Sequence, residues 1–522
     1  MKGNVSLFVF SAIFFLAIVS SPIYAYEAIH GPTETIYYDK TKTFDGYNMF
    51  GGGGKAWLLD MEGEVVHTWN GGRTPRLLNN GNEFDADRKG FIEKNWDGEV
   101  VWQYTEKRDN YSPHHDWVRI FNKKLNAWTT MYIANKSISH EQAIAAGADP
   151  KLKRSFDGSQ MDAIVEVDMD GNIVWEWWFF DHMIQDVDPT KANYVGKGKT
   201  IADYPGRHNI NIPGRPLNRD YFHCNSMDYN AELDQVVTNS VQGEFWVVDH
   251  GNTFIPGDPE GSIALAAGPK GDFLYRWGDP ARYGQGDPPS MRTDWTEAIT
   301  GHKQIGGSHD IQWIKPGLPG AGNFLIFNNG QSLSERTPQS YIFEINGFLD
   351  ANNKNTGNYV NPPDAGYFVW EQPREISRDT HKRPKNMSNQ VVWTFSTISN
   401  MNFFSHIGSG AQRLPNGNTM ICAMTEGHIF EVTREGECVW EYINPIIRDD
   451  KGSRAVKIFD DWKPMTNAVF RAYRYAADHP AFKGKDLKPM GKITDIFKAS
   501  GPPRQRGDGE KGKAKGKAKG KK

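Results

Sequence analysis

The segment IVEVDMDGNIVWEW, residues 164–177, is one of four copies of a pattern in which apolar residues, an acidic or similar residue with Gly, and β-branched residues lead to a Trp. The other copies are WLLDMEGEVVHTW at 57–69, IEKNWDGEVVW at 92–102 and IFEVTREGECVWEY at 429–442. Glycine supplies the positive φ of a tight turn, and the flanking alternation places every second residue on one face. Each copy is therefore predicted to be a β-hairpin. LAAGPKGDFLYRW at 265–277 and QVVWTF at 390–395 are weaker copies.

A second pattern, which begins with histidine, precedes several of these hairpins. HHDWVRI, HCNSMDY, HDIQWIK and HIGSGAQRL contain His115, His223, His309 and His406, and each is followed by a turn and another strand-like run. Together the two patterns make a repeated unit of four antiparallel strands, which is typical of a β-propeller. We predict an all-β fold, a six-bladed β-propeller. Its first two blades lack the histidine pattern, and a strand from elsewhere in the chain completes the first.

The composition agrees with a β-rich folded protein and excludes other classes. Aromatic residues make up 13% of the 522 residues and there are 53 Gly, which suits rings packed between sheets and many turns. Lys and Arg number 60 against 63 Asp and Glu, a net charge of -3, so the chain lacks the basic footprint of a nucleic-acid binder. Three cysteines allow at most one disulfide. Cys224 is expected to be buried, and a bridge between Cys422 and Cys438 is not expected.

The two ends of the chain differ from its body. Residues 1–25 resemble a signal peptide, with Lys2, an apolar run and small residues before Tyr26, so we expect a periplasmic or secreted protein. No later stretch approaches the roughly 20 apolar residues of a membrane span. We assign 26–500 to the propeller and 501–522, rich in Lys and Gly, to a disordered tail. Residues 470–484, FRAYRYAADHPAFKG, are predicted to form a short C-terminal helical segment outside the propeller.

Three insertions, at about residues 179–220, 278–307 and 345–390, are rich in Pro, Gly, Asp and Asn. Loops of this length inside a compact domain usually carry function or form lids. We therefore expect them to cover one end of the propeller.

The four histidines occupy equivalent places at the starts of the innermost strands, which line the channel of a propeller. Any one of them could be a structural histidine with a backbone partner. Imidazole changes charge near neutral pH, so a ring of four suits nucleophilic chemistry, acid–base chemistry or metal ligation.

Several longer motifs resemble those of the bacterial arylsulfate sulfotransferase family. They are the segment from Ser405 to Pro445, FHCNSMDYNAELDQVVTNS, SHDIQW followed by FLIFNNG, HHDW, and the late VFRAYRYAADHP. The resemblance covers most of the chain after residue 25 and keeps the family's order. It implies an exported six-bladed propeller that moves a sulfuryl group from an aryl sulfate to a phenol through a sulfated histidine, without a nucleotide sulfate donor or other cofactor and without a metal.

The resemblance also implies roles for individual residues. His406 matches the covalent nucleophile, His223 and His309 match the other catalytic histidines, and His115 and Asn225 are expected to bind substrate. Arg336 matches the arginine that holds sulfate oxygens, although the sequence departs from the family there, with Asn328 or Asn329 standing where an acidic residue is usual. Arg413 is an alternative, for which a structural role is expected.

Two other functions stay open at this point. The same histidines could ligate a metal in a lyase or oxidoreductase, because ligands from different blades need no fixed spacing. The chain could also be a non-catalytic binding propeller, which has no need of buried histidines. Small-molecule aryl sulfate and phenol are the expected partners, with no nucleic acid and no membrane span. The sequence leaves open a homodimer, the natural donor and acceptor, and the role of the tail.

Overall fold

The computed structural model describes residues 32–152, 160–212, 220–288, 302–330, 339–359, 388–397, 403–450, 452–460 and 462–499. The predicted signal peptide and tail lie outside these ranges. Within them the chain is mostly β, and its strands form the six blades of a propeller, as predicted. In the described ranges no helix is both long enough and apolar enough to cross a membrane.

Each blade is an antiparallel sheet, and in blades 2 to 6 the first strand of the four-strand unit is innermost. Blade 2 contains β5 (Arg76–Leu77), β6 (Glu83–Asp87), β7 (Gly90–Lys94) and β8 (Val100–Thr105). Blade 3 contains β9 (Tyr111–Asn122), β10 (Ala127–Ser137), β11 (Gln160–Asp168) and β12 (Ile173–Trp178). Blade 4 contains β15 (Cys224–Asn230), β16 (Gln235–Ser240), β17 (Glu244–Asp249) and β18 (Tyr275–Trp277). Blade 5 contains β19 (His309–Trp313), β20 (Phe324–Asn328), β21 (Tyr341–Ile345) and β22 (Val391–Phe395).

The two ends of the chain close the ring. Blade 1 joins β2 (Gly46–Gly52), β3 (Lys55–Leu59) and β4 (Val65–Asn70) to an innermost strand from the C-terminal region, β29 (Ala472–Ala476). Blade 6 contains β23 (Gly410–Arg413), β24 (Thr419–Ala423), β25 (His428–Val432) and β26 (Cys438–Ile443), and β1 (Glu34–Tyr38) adds a fifth, outer strand. The prediction that a distant strand completes the first blade is confirmed.

The prediction of a helical segment at residues 470–484 was wrong for its first part, which is a strand, whereas Pro480–Phe482 further along form a short 3₁₀ helix. Residues 472–476 form β29, which pairs with β2 from Gly46↔Ala476 to Phe50↔Ala472. The alternation of Arg471, Tyr473 and Tyr475 with smaller or buried neighbours is the period of a strand. A short helix does follow it, α3 (Ile493–Ile496).

The repeated Trp residues hold neighbouring blades together. In five blades the indole Nε1 of the Trp in the fourth strand, counted from the innermost, donates a hydrogen bond to the next blade. The acceptors are the carbonyls of Asn95 for Trp69 (3.0 Å), Met169 for Trp102 (2.8 Å), Arg434 for Trp393 (2.8 Å) and Met61 for Trp440 (2.8 Å), and the Thr253 hydroxyl for Trp175 (3.0 Å). Each ring thus packs between sheets and satisfies its one polar atom across the gap, which explains why the sequence repeats Trp.

The four strong copies of the pattern are hairpins, as predicted, with pairings such as Leu59↔Val65 and Val167↔Ile173. The weaker copy at 265–277 is not a hairpin. Its first half lies at the end of α2 (Pro259–Ala267), and Trp277 in β18 pairs with Phe245 in β17. The Asp-Pro pair at 258–259 starts this helix, because Asp258 caps it and Pro259 suits its first position.

The remaining elements lie outside the blades. They are α1 (His140–Ala145), the parallel pair β13 (Met183–Ile184) and β14 (His208–Asn209), and the hairpin of β27 (Ile446–Asp449) and β28 (Gly452–Ala455). The pair β13 and β14 belongs to the first predicted insertion. Of the second insertion the structure describes residues 278–288 and 302–307, and of the third residues 345–359 and 388–390; the rest of both lies outside the described residues.

Carboxylates on the innermost strands tie consecutive blades to each other. In each of three cases an Asp side chain accepts a hydrogen bond from a backbone N–H of the next blade. The pairs are Asp116 with Met227 (2.9 Å), Asp228 with Trp313 (3.0 Å) and Asp310 with Ala411 (3.0 Å). These bonds fix the relative height of the innermost strands, and with them the histidines that precede two of the carboxylates.

All three cysteines are buried and free, as predicted for Cys224 and for the pair Cys422 and Cys438. The last two lie in β24 and β26, with β25 between them. Arg413 is also buried, 2.7 Å from the Glu344 carboxylate, which confirms a structural role for it.

Candidate functional site

Three of the predicted histidines come together where the innermost strands of blades 3, 4 and 5 begin. His115 lies in β9, His223 immediately before β15, and His309 is the first residue of β19. The ring centroids of His115 and His223 are 4.6 Å apart. The Phe470 ring, just before β29, lies 6.3 Å from His115 and 6.5 Å from His309.

The backbone at this end of the channel is strained in a repeated way. His115, His223, Asp310 and Ser409 have φ of 55°, 50°, 58° and 84°, a region that residues other than glycine seldom occupy. In blades 4 and 5 the pairing register also shifts here, which indicates β-bulges. Such conformations cost roughly 1–3 kcal/mol each and cluster at functional sites, and bulges redirect side chains. Equivalent strain in four adjacent blades thus marks this end as the functional end.

His223 is paired with a carboxylate. The Asp220 side chain contacts its Nδ1, and about a third of each side chain is exposed. Burial raises the pKa of Asp220, but the bond to His223 and the nearby imidazoles outweigh it and bring that pKa below its ordinary value. A carboxylate on Nδ1 stabilises the imidazolium form, which suits a general acid and base.

His309 is fully enclosed, and both of its nitrogens are engaged. Its Nδ1 lies 2.7 Å from Asn329 Oδ1, to which it donates, and its Nε2 accepts from the Gly408 N–H at 3.2 Å. Burial, opposed by the bonds to Asn329 and Gly307, lowers the pKa of His309 to about 4. His309 is therefore neutral at physiological pH, with its proton on Nδ1.

His406 lies in the loop that His309 contacts. Asn329 Nδ2 donates to the carbonyls of Ser405 (2.7 Å) and Gly408 (3.1 Å), so the loop is held on both sides of His406. The side chain is half-buried, with its ring 6.4 Å from that of Phe404. The backbone of this loop links His406 to His309, because the Gly408 N–H donates to His309 Nε2.

His115 is neutral as well, and neighbouring imidazoles add to the effect of burial. Burial, followed by the repulsion of His114, His223 and His309, lowers the pKa of His115 to about 2. Its Nδ1 lies 2.7 Å from Nδ1 of His114, a residue that the sequence did not single out.

The other predicted residues differ in their surroundings. Asn225 is buried, its Nδ2 donates to the Ser308 carbonyl at 2.8 Å, and its own carbonyl accepts from Arg471. These contacts give it a structural part in the site, and its predicted contact with substrate stays a prediction. Arg336 lies outside the described residues, so its role stays a prediction too.

Arg471 is the residue beneath the histidines that sequence reasoning missed. Its guanidinium donates to Asp116 (2.9 Å) and the Asn225 carbonyl (2.7 Å), and Nε lies 3.3 Å from Asp310. It thus joins blade 1 to blades 3, 4 and 5 under the site. The sequence pattern predicted a helical segment outside the propeller here; the alternation in FRAYRYA is the signal that points instead to a strand.

The described residues contain no group of three or more His, Cys, Asp or Glu side chains arranged to hold a metal ion. The site therefore contains one imidazole paired with a carboxylate, that of His223, and two neutral imidazoles, those of His115 and His309. The loop beside them carries the fourth, His406.

Comparison with known proteins gives one informative match. The family model described as Arylsulfotransferase (ASST) matches residues 119–458, about two thirds of the chain. No curated protein matches.

Three solved structures illustrate how distant the structural likenesses are. A protein of unknown function from Bacteroides caccae is 11% identical, with a TM-score of 0.37 over 82% of this chain and 98% of its own. The β-propeller domain of Myceliophteria thermophila Cps50 (Swd1) is 9% identical, with a TM-score of 0.35 over 80% and 90%. Saccharomyces cerevisiae Sqt1 is 8% identical, with a TM-score of 0.33 over 85% and 100%. Structural similarity at these scores supports no conclusion about this chain.

Proposed function

Because the chain belongs to the arylsulfotransferase family, we propose that it transfers a sulfuryl group from an aryl sulfate ester to a phenol through a covalent sulfated His406. The observation that carries the mechanism is the assembly of His115, His223 and His309 beside the loop that holds His406. Family membership supports sulfotransfer in general, and the covalent intermediate is our proposal.

In the first half-reaction the bond between sulfur and the aryl oxygen breaks while a bond between sulfur and a His406 nitrogen forms. The aryl oxygen leaves as a phenolate and takes a proton from His223, whose imidazolium form the Asp220 carboxylate stabilises. In the second half-reaction the acceptor oxygen attacks sulfur, the sulfur–nitrogen bond breaks, and the phenolic proton passes to a base in the site.

His309 acts as a positioning residue in this scheme. Its two nitrogens are engaged by Asn329 and by the Gly408 N–H, so it holds the loop of His406 in place. A nucleophile held at a fixed distance from sulfur needs less reorganisation in the transition state. Arg336 is proposed to bind sulfate oxygens, and Asn225 is proposed to assist binding.

The decisive experiment mixes the protein with a labelled aryl sulfate in the absence of an acceptor. We expect one stoichiometric burst of phenol and a label on the peptide containing Ser405–Arg413, because the sulfated imidazole has no phenol to react with. His406→Asn should fold and give no burst, whereas His140→Asn, at an exposed helix position, should behave like the unmodified protein. A normal burst from His406→Asn would refute the assignment.

Chelation distinguishes this function from the metalloenzyme alternative. Covalent transfer through histidine needs no metal, so turnover with an added phenol should survive removal of divalent ions. Activity lost to a chelator and restored by one divalent ion would favour a metal-dependent reaction. A protein that binds aryl sulfates with no turnover under either condition would be a binding propeller.

We also propose that the protein acts in the periplasm or outside the cell, on the basis of residues 1–25. Sequencing the amino terminus of the protein purified from its own cells tests this. A chain that begins near Tyr26 is expected, and one that retains Met1 in the cytoplasm would contradict it.

A further inference from the structure

We propose that His115, His114 and Asp162 form a proton relay in which His115 takes the proton of the acceptor phenol and His114, beside Asp162, carries the resulting charge. The inference rests on the proposed function and assigns the base of its second half-reaction.

The three side chains form a continuous line from the site into blade 3. His115 Nδ1 lies 2.7 Å from His114 Nδ1, and His114 Nε2 lies 2.9 Å from Asp162 Oδ1. His115 is at the channel end, with its ring 4.6 Å from that of His223. Asp162 is at the other end, in β11, and is 1% exposed.

Asp162 is a carboxylate that needs a positive partner. Its Oδ1 lies 2.9 Å from His114 Nε2, which is ion-pair distance. The other titratable group beside it is the buried Cys224 thiol, a weak and uncharged hydrogen-bond donor. An uncompensated buried carboxylate is costly, and a charge on a neighbouring group reduces that cost. Among the described residues His114 is the base that can provide the charge.

The shared Nδ1 contact fixes which nitrogen of His115 faces the substrate. Two Nδ1 atoms 2.7 Å apart must share one proton, since one donates and the other accepts. When His115 donates, its Nε2 carries a lone pair at the edge of the ring away from His114. A phenol can then donate its hydroxyl to that nitrogen, which an aryl sulfate, lacking the hydroxyl, cannot do.

The proton balance follows from this tautomer. The phenolic proton moves to His115 Nε2 while the Nδ1 proton of His115 moves to His114 Nδ1. His115 ends neutral with its proton on Nε2, and His114 ends as an imidazolium beside Asp162. The relay resets when His115 Nε2 releases its proton to solvent and His115 Nδ1 takes its proton back from His114. His223 regains from solvent the proton that it gave to the leaving phenolate, so no co-reactant is needed.

The charged neighbours explain why the charge has to move to His114. His115 faces His114, His223, His309 and Asp220, and three of these four are imidazoles that oppose a cation on it. Burial and these neighbours lower the pKa of His115 to about 2, so it accepts a proton only if it passes another on. His114 also lies near Asp220, which adds to the stabilisation by Asp162.

The test compares Asp162→Asn with Asp272→Asn, a matched change at the His182–Asp272 pair away from the site. Asparagine keeps the size of Asp162 but removes its charge, so the acceptor-dependent step should slow by roughly 10²-fold, the lower end for a general base. The acceptor-free burst should keep its rate, because the relay acts only after sulfation. Asp272→Asn should leave both steps unchanged.

His114→Gln provides a second variant, and nitrogen NMR of the histidine rings gives a readout independent of activity. We expect His115 in the unmodified protein to carry its proton on Nδ1, and to lose that preference in His114→Gln. An unmodified protein without a burst would refute the proposed function. Three outcomes would refute the relay alone. Asp162→Asn could give a normal burst with an unchanged acceptor step, or it could slow both steps equally. The third is a resting unmodified protein in which His115 carries its proton on Nε2.

Discussion

Replacing Arg471 with Met should destabilise the propeller from its centre. The side chain is 2% exposed and bonds to Asp116, to the Asn225 carbonyl and to Asp310. Removing one partner of a buried ion pair typically costs 3–5 kcal/mol, because a charge is left uncompensated. Asp116 keeps a second cation, Arg76, so Asp310 is the carboxylate that loses its cation. We therefore expect the free energy of unfolding to fall by about 3 kcal/mol, near the lower end of that range.

The size of the thermal shift follows from the length of the chain. At about 2.1 cal/mol/K per residue, a domain of some 450 residues unfolds with an entropy of about 1 kcal/mol/K, so the melting temperature should fall by roughly 3 °C. Scanning calorimetry at pH 8 and pH 5 measures this shift. Arg448→Met is the matched control, since the Arg448 side chain is exposed and should have no effect.

The pH dependence provides the stricter test. Burial already raises the pKa of Asp310, and losing Arg471 raises it further. A carboxyl group whose folded pKa lies above its unfolded value destabilises the protein at high pH, and the penalty disappears as the group is protonated. The difference between Arg471→Met and the unmodified protein should thus be smaller at pH 5 than at pH 8. A shift below 1 °C, or an equal shift at both values, would contradict the reasoning.

Three further predictions concern other parts of the molecule. His309→Ala should lower both turnover and stability, the latter by about 1–3 kcal/mol, because the Gly408 N–H loses its acceptor; His309→Gln should recover part of both in melting and turnover assays. Burial lowers the pKa of His250, but its two carboxylate partners outweigh burial and raise that pKa to about 9. This implies about 3 kcal/mol of stability that is complete below pH 6.5 and is lost as the pH rises past 9. Urea unfolding should detect this loss, and a His250→Gln variant with the same pH profile would contradict the prediction. Trp440→Phe should cost about 1–3 kcal/mol by leaving a buried carbonyl unpaired, whereas Trp128→Phe, at a ring 52% exposed, should cost under 0.5 kcal/mol in the same assay.

The local pattern was sufficient for the blades but not for how they are joined. Hairpin turns and strand alternation depend on residues a few positions apart, so the copies ending at Trp69 and Trp440 could be identified one by one. The role of those indoles could not be predicted from the sequence, because the carbonyls they bind belong to the next blade. The helix predicted at residues 470–484 failed over 472–476 for the same reason: β29 is held by pairing with β2, more than 400 residues earlier.

The sequence by itself determined that histidines recur at the start of successive innermost strands, because a repeat with one residue in a constant place needs no three-dimensional information. It also supplied the resemblance that made His406 the expected nucleophile. Only the tertiary structure decided which groups surround those histidines. Asp220, His114, Asp162 and Arg471 lie in different strands and loops, and their effect on an imidazole depends on distance and burial rather than on separation along the chain. Charges and hydrogen bonds act through space, so the protonation state of each histidine became readable only once the blades were assembled.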